Sequence, residues 1–148
     1  MRFIEASLDD VGLAAWYRAT DVLVVTSLAD GMNLVAKEFV AARSDLGGVL
    51  VLSEFAGAAQ DLEGALIVNP YDVDAIKGAL ITARDVSVSD ASSRMVTMRD
   101  LVRRNDVHHW AGSFLEQLES SPAPGGRVRA LGRKVVTTVH RRVSALRR

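Results

Sequence analysis

The sequence contains no cysteine. That excludes a disulfide framework, a thiolate zinc site and a thiol nucleophile. No apolar run approaches the roughly 18 residues that a membrane span requires. The polar and acidic stretch Glu5–Asp10 is unlike a secretory signal, so the expected compartment is the cytoplasm. No internal repeat is visible. Acidic charge is missing from the C-terminal end of the chain. Residues 1–119 hold all eighteen acidic residues but only ten of the eighteen Lys and Arg, a net charge of −8, and residues 120–148 hold the other eight cations and no acid. An acidic body argues against a nucleic-acid-binding core. The basic end has no aromatic residue after Phe114 to stack on bases.

What is present reads as a globular α/β chain. Its 148 residues, 49% of them hydrophobic, suit about one domain with a real core. Asp9 or Asp10 can cap a helix to about Ala19, with Val11, Leu13, Ala14 and Tyr17 on its apolar face. Asp21–Thr26 contains V-L-V-V, a continuous apolar run of the kind found in a buried parallel strand. Ser27–Gly31 is a polar turn, and Met32 to about Arg43 reads as a helix. Ser44–Gly48 is a loop, followed by a second apolar strand at Val49–Ser53. Glu54–Gln60 is rich in Ala and Gly, so it can pack close to a neighbouring backbone. Ala65–Val68 is a third strand, stopped by Asn69-Pro70. Asp72 can cap a helix to about Arg84 with Ile76, Ala79, Leu80 and Ala83 inward. Further helices are expected over Asp90–Arg103 and Asp106–Leu118, and Arg2–Ala6 reads as a short strand or a remnant of one. This alternation predicts a partial Rossmann-like parallel sheet with helices on both faces. The predicted organisation is a body over residues 1–119, an S-S-P-A-P-G-G linker over 120–126 and a basic amphipathic helix over 127–148. On that helix Val128, Leu131, Val135, Val139, Val143 and Leu146 form an apolar stripe.

The chemistry concentrates in T-S-L-A-D-G-M-N-L-V-A-K-E, Thr26–Glu38, which follows an apolar strand and opens a helix. Ligands of parallel α/β sheets bind beyond the carboxyl ends of the strands, where such turns sit. A helix N-terminus offers unpaired N–H groups and partial positive charge, which suit a phosphate. Gly31 lets the backbone approach a ligand. Asp30 can cap the helix or accept hydrogen bonds from sugar hydroxyls. Glu38, one turn beyond Leu34 on the same side, is an acceptor-only group that can hold the vicinal hydroxyls of a ribose. Taken alone, Asp-Gly before a helix is most often only a cap and a turn.

Five segments together resemble one family. D-G-M-N-L-V-A-K-E at Asp30–Glu38 is similar to the donor-site signature of trehalose-6-phosphate synthases, retaining glycosyltransferases of the GT-B type. W-Y-R-A-T-D-V at Trp16–Val22, V-L-V-L-S-E-F-A-G-A-A at Val49–Ala59, A-L-I-V-N-P-Y-D at Ala65–Asp72 and N-D-V-H-H-W at Asn105–Trp110 resemble further segments of that family, in its order. The resemblance implies the C-terminal, donor-binding half of a GT-B enzyme. It implies that Asp30 is catalytic, hydrogen-bonding the donor glucose. It also implies that the backbone of Gly31, Met32 and Asn33 contacts the sugar and helps bind the phosphates. Leu34 and Val35 would offer main-chain contacts to the diphosphate, and Glu38 would hold the ribose. The implied reaction moves glucose from UDP-glucose or GDP-glucose to glucose 6-phosphate with retention, with no metal and no further cofactor. Acceptor choice in related enzymes varies and lies mainly outside this half.

The chain departs from the family where Pro and Arg are common, at Ser27 and Ala29, so a positive charge is absent beside the site. The family's acceptor domain and its upstream basic pair do not appear in the sequence. The expectation is a truncated or split form that binds donor, with a separate chain as one source of the acceptor domain. The alternative is a non-catalytic remnant that binds a partner or a membrane through its basic tail. For that tail, packing on the acidic body is favoured over an anionic membrane surface, and nucleic acid is not expected. His108 and His109 point about 100° apart on a helix, which is unlike a metal pair. The Asp61/Glu63 and Asp72/Asp74 pairs read as caps and solvated faces. Neither Ser27 nor Ser53 has a base partner for nucleophilic catalysis.

Overall fold

In a computed structural model, which describes residue 5 and residues 7–120, the chain divides into two compact units, Met1–Arg103 and Arg104–Arg148. The first is an α/β unit: α1 (Asp10–Ala19), β1 (Val22–Val25), α2 (Leu34–Ala42), β2 (Val49–Ser53), a 3-10 turn (Gly57–Gln60), β3 (Leu66–Val68), α3 (Val73–Asp85) and α4 (Val88–Arg104). The described part of the second unit is α5 (Val107–Ser120). The linker beyond Ser120, the basic tail and most of the segment Arg2–Ala6 lie outside the described residues. No helix among the described residues is long and apolar enough to cross a membrane.

The three strands are parallel in the order β1-β2-β3, with Val22 opposite Val49 and Val51 opposite Leu66. β2 is central and all five of its residues are buried. Its side chains alternate between two clusters, as the period of a strand requires. Leu50 and Leu52 join Tyr17 of α1, Phe39 and Val40 of α2, and Met95 and Met98 of α4. Val49 and Val51 join Val68 of β3 and Ala83 of α3, with Ile76 and Ala79 beside them. The sheet is thus covered on both faces, as the apolar strands predict.

Three expectations need correction. The apolar run of β1 predicts a buried strand, yet Val24 is exposed, because β1 is an edge that pairs only with β2 among the described residues. Helical periodicity places Val11 and Leu80 inward. Both are exposed, because α1 turns Leu13 and Tyr17 to the core and α3 turns Ile76, Ala79 and Ala83. α2 begins at Leu34 rather than Met32, for a reason found in the site loop.

Two arginines tie the helices on this side together. Arg43, only 5% exposed, donates from Nη1 to the carbonyls of Tyr17 (3.1 Å), Arg18 (2.6 Å) and Thr20 (2.9 Å). These are the last carbonyls of α1 and of its C-cap Thr20, where intrahelical donors run out; Tyr17 O also accepts from Thr20 N–H at 3.3 Å. Asp45 pairs with its Nη2 at 3.0 Å. Arg99 of α4 does the same for α2, donating to the carbonyls of Val40 (2.9 Å) and Ala41 (2.7 Å). Replacing Arg43 by Met strands buried carbonyls, so Arg43→Met is expected to lower the unfolding free energy by roughly 2–4 kcal/mol in urea titration. A loss below about 0.5 kcal/mol would mean that the guanidinium is not holding α1.

Candidate functional site

The loop between β1 and α2 is organised by the carboxylate of Asp30. Its Oδ1 accepts from Met32 N–H (3.0 Å) and Asn33 N–H (2.8 Å), and its Oδ2 accepts from Asn33 Nδ2 (2.9 Å). The Asn33 side chain then passes the restraint onward, because its Oδ1 accepts from Ala36 N–H at 2.9 Å. Asn33 is therefore the residue that caps α2, with φ at 70° in the left-handed region. Asn tolerates that region better than most residues. This left-handed residue is why the helix cannot begin at Met32. Asp30 caps the turn before the helix, not the helix.

Asp30 is charged at neutral pH. The hydrogen bond from Met32 N–H holds its carboxyl below the usual range, partial desolvation opposes this, and the two bonds from Asn33 add to the lowering. The stabilisation from this depressed native value is complete above the ordinary carboxyl pKa of about 3.9. It is lost as pH falls through the native value.

The loop is fastened to the segment after β2. Asp30 N–H donates to Phe55 O (3.3 Å), Gly57 N–H to Asp30 O (2.8 Å) and Ala58 N–H to Met32 O (2.7 Å). An isolated parallel bridge pairs Asp30 with Ala56. The sheet pairing of β1 and β2 is thus resumed beyond their carboxyl ends. A Cβ on Gly57 would stand 2.2 Å from Gly31 O. Only glycine allows the two backbones this approach, as the Ala- and Gly-rich composition suggests. A Cβ on Gly31 meets nothing within 4 Å, so packing within the chain does not demand glycine there.

The structure brings the expected site residues to one place, around the start of α2. Gly31, Met32, Leu34, Val35 and Glu38 are exposed, Asp30 is half-buried, and Asn33 is buried with both side-chain groups engaged. Among the described residues, the N–H groups of Leu34 and Val35 have no acceptor. Those of Met32 and Asn33 are turned onto Asp30. Glu38, on the second turn, accepts from Tyr17 Oη at 3.1 Å. Sequence reasoning missed this contact, since it joins two helices 21 residues apart and periodicity within either helix cannot show it.

Several of the remaining candidates have structural partners, whereas Ser27 Oγ is buried with no hydrogen-bond partner among the described residues. Asp61 pairs with Lys37 at 2.9 Å. Asp72 caps α3 through Ala75 N–H. Ser53 Oγ accepts from Phe55 N–H. Just before α5, Asp106 accepts from the backbone N–H groups of His108 and His109.

The family model of glycosyltransferase family 20 matches residues 1–120. The chain is 53% identical over 114 residues to the trehalose-6-phosphate synthase of Mycobacterium avium (strain 104), covering 76% of this chain and 23% of that protein. A solved structure named "Trehalose-6-phosphate from E. coli bound with UDP-2-fluoro glucose" superposes with a TM-score of 0.75 at 46% identity, over 80% of this chain and 27% of that one. A UDP-forming alpha,alpha-trehalose-phosphate synthase from Burkholderia xenovorans in complex with glucose-6-phosphate gives 0.75 and 46%, over 79% and 26%. The chain spans about a quarter of the length of these relatives and matches their C-terminal part. The likeness extends to the GT-B fold expected from the sequence.

The two glycines separate packing from ligand contact. Gly57→Ala forces the loops apart and is expected to cost about 2 kcal/mol of stability, whereas Gly31→Ala should stay within about 0.5 kcal/mol. Chemical denaturation of both variants checks this. Equal stability losses would contradict the close approach at Gly57.

Proposed function

The chain belongs to glycosyltransferase family 20, and from that premise we propose that residues 26–38 bind the nucleotide-sugar donor of trehalose 6-phosphate synthesis. The observation that carries this reading is the pair of unengaged N–H groups on Leu34 and Val35, set between the carboxylates of Asp30 and Glu38. A helix N-terminus with two free donors suits a diphosphate. Asp30 keeps lone pairs beyond those facing Met32 and Asn33, and these suit the glucose hydroxyls. Gly31, Met32 and Asn33 then supply backbone against the sugar. Their part in holding phosphate is smaller than the motif alone suggests, since two of their N–H groups already serve Asp30. Glu38 takes the ribose diol.

The proposed reaction breaks the bond between the glucose anomeric carbon and the diphosphate. It forms one to the anomeric hydroxyl of glucose 6-phosphate, which loses its proton, with retention at the donor carbon. Helix N–H groups stabilise charge developing on the leaving diphosphate, without a metal. UDP is the nucleotide in the names of the solved relatives, and GDP is the alternative. We place the acceptor site outside residues 1–120, on a further portion of polypeptide or on a separate chain. Among the described residues the outer edge of β1 pairs with no strand, and an apolar edge strand is ordinarily covered by further polypeptide. A second reading, a partner- or membrane-binding role for residues 127–148, rests on their eight cations.

Two outcomes are expected. Calorimetry should detect UDP or GDP binding by the chain, and Glu38→Ala should weaken it about tenfold, or about 1.4 kcal/mol. An unchanged affinity would remove Glu38 from the ribose. Incubation with glucose 6-phosphate and either donor should yield little or no trehalose 6-phosphate. Robust synthesis would show that the acceptor site lies within these 148 residues.

A further inference from the structure

Glu38 is exposed, yet its carboxylate is held by a donor that is itself immobile. Tyr17 is 8% exposed. Its ring stands edge-on to Phe39, with centroids 6.2 Å apart and planes at 76°. Phe39 is fully buried and carries the Arg43 guanidinium 5.9 Å from its ring centroid. The same guanidinium binds the Tyr17 carbonyl at 3.1 Å. The phenol is therefore fixed at both its ring and its backbone, and its hydroxyl reaches out of the core to Glu38 Oε2 at 3.1 Å.

We propose that Tyr17 is a positioning residue for the nucleotide: its hydroxyl holds one oxygen of Glu38, so that the other faces the ribose diol in one orientation before the ligand arrives. This rests on the donor-site reading above. A free glutamate on a helix surface has three side-chain torsions, and ordering them on binding opposes affinity. One oxygen fixed by Tyr17 leaves Oε1 with two lone pairs, enough for two hydroxyls. Burial first, then the hydrogen bond to Glu38 and that residue's charge, push the Tyr17 phenol up to about 12. The hydroxyl thus remains a donor across the range in which nucleotide is bound.

Tyr17→Phe keeps the ring and removes only the donor. The full chain should bind UDP roughly three- to tenfold more weakly after this change, from the lost preorganisation of Glu38. Its affinity for 2′,3′-dideoxyuridine 5′-diphosphate, which lacks the diol, should not change. In a Glu38→Ala background, Tyr17→Phe should cause no further loss. A purely structural tyrosine would weaken both ligands alike, and that result overturns the proposal. So does an unchanged UDP affinity in Tyr17→Phe where Glu38→Ala does weaken binding, and this leaves the ribose reading standing. If Glu38→Ala has no effect, the ribose reading and this one fall together. A second readout needs no ligand. The carboxylate carbon of Glu38, followed by NMR in the free protein, should shift in Tyr17→Phe, and an unmoved resonance overturns the proposal by itself.

Discussion

The close approach of two backbones, at Gly31 and Gly57, is the constraint on which the site depends. Beyond the carboxyl ends of β1 and β2 the chain would ordinarily splay into independent loops. Here the pairing is resumed through Asp30, Met32, Phe55, Gly57 and Ala58. The result is a loop with the rigidity of a sheet edge. A side chain at position 57 would meet Gly31 O at 2.2 Å, so the fastening exists only because that residue is glycine. Once the backbone of residues 30–32 is fixed, the Asp30 carboxylate can close the turn, and Asn33 can start α2 in a set direction.

Asp30 also sets an electrostatic problem that the geometry resolves. Its charge lies near the positive end of α2, where a diphosphate would also gather. Two anions at one helix terminus repel. The hydrogen bonds separate them: Asp30 takes the N–H groups of Met32 and Asn33, which precede the helix, and leaves those of Leu34 and Val35, which open it. The carboxylate is thereby drawn onto the loop side of the terminus. No arginine stands at position 29 to offset the remaining negative charge, so under the proposed reading the helix donors and Glu38 would carry more of the donor affinity.

How much of this is legible in the sequence depends on the range of each interaction. Val49–Ser53 is legible to the residue, because a short unbroken apolar run between turn signals fits a strand buried on both faces, and β2 is one. V-L-V-V at β1 has the same pattern, but the pattern cannot say that a strand lies at an edge. Val11 and Leu80 mislead because an apolar residue on a helix flank satisfies the periodicity without touching the core. The Asp30–Glu38 motif locates the site, yet Asp-Gly suggests a simple cap. The hand-over from Asp30 to a left-handed Asn33 depends on the opposing loop, which no local rule encodes. The Tyr17–Glu38 contact and the two arginine caps join elements distant in sequence, and they become visible only once α1, α2 and α4 are packed.

On the proposed reading, a single helix would serve two parts of a nucleotide. From Leu34 to Glu38 is one turn, about 6 Å along the axis, comparable with the step from a bound phosphate to the ribose beside it. For such a ligand the N-terminal N–H groups and the second-turn carboxylate would form one ruler, accurate only if α2 neither frays at its start nor lets Glu38 swing. Asn33 secures the start through Ala36 N–H. Tyr17 secures the carboxylate, and Tyr17 is in turn secured by Phe39 and Arg43 from α2 and its cap. If α2 binds the donor as proposed, the packing of α1 on α2 belongs to that site, because Tyr17 reaches it through Glu38.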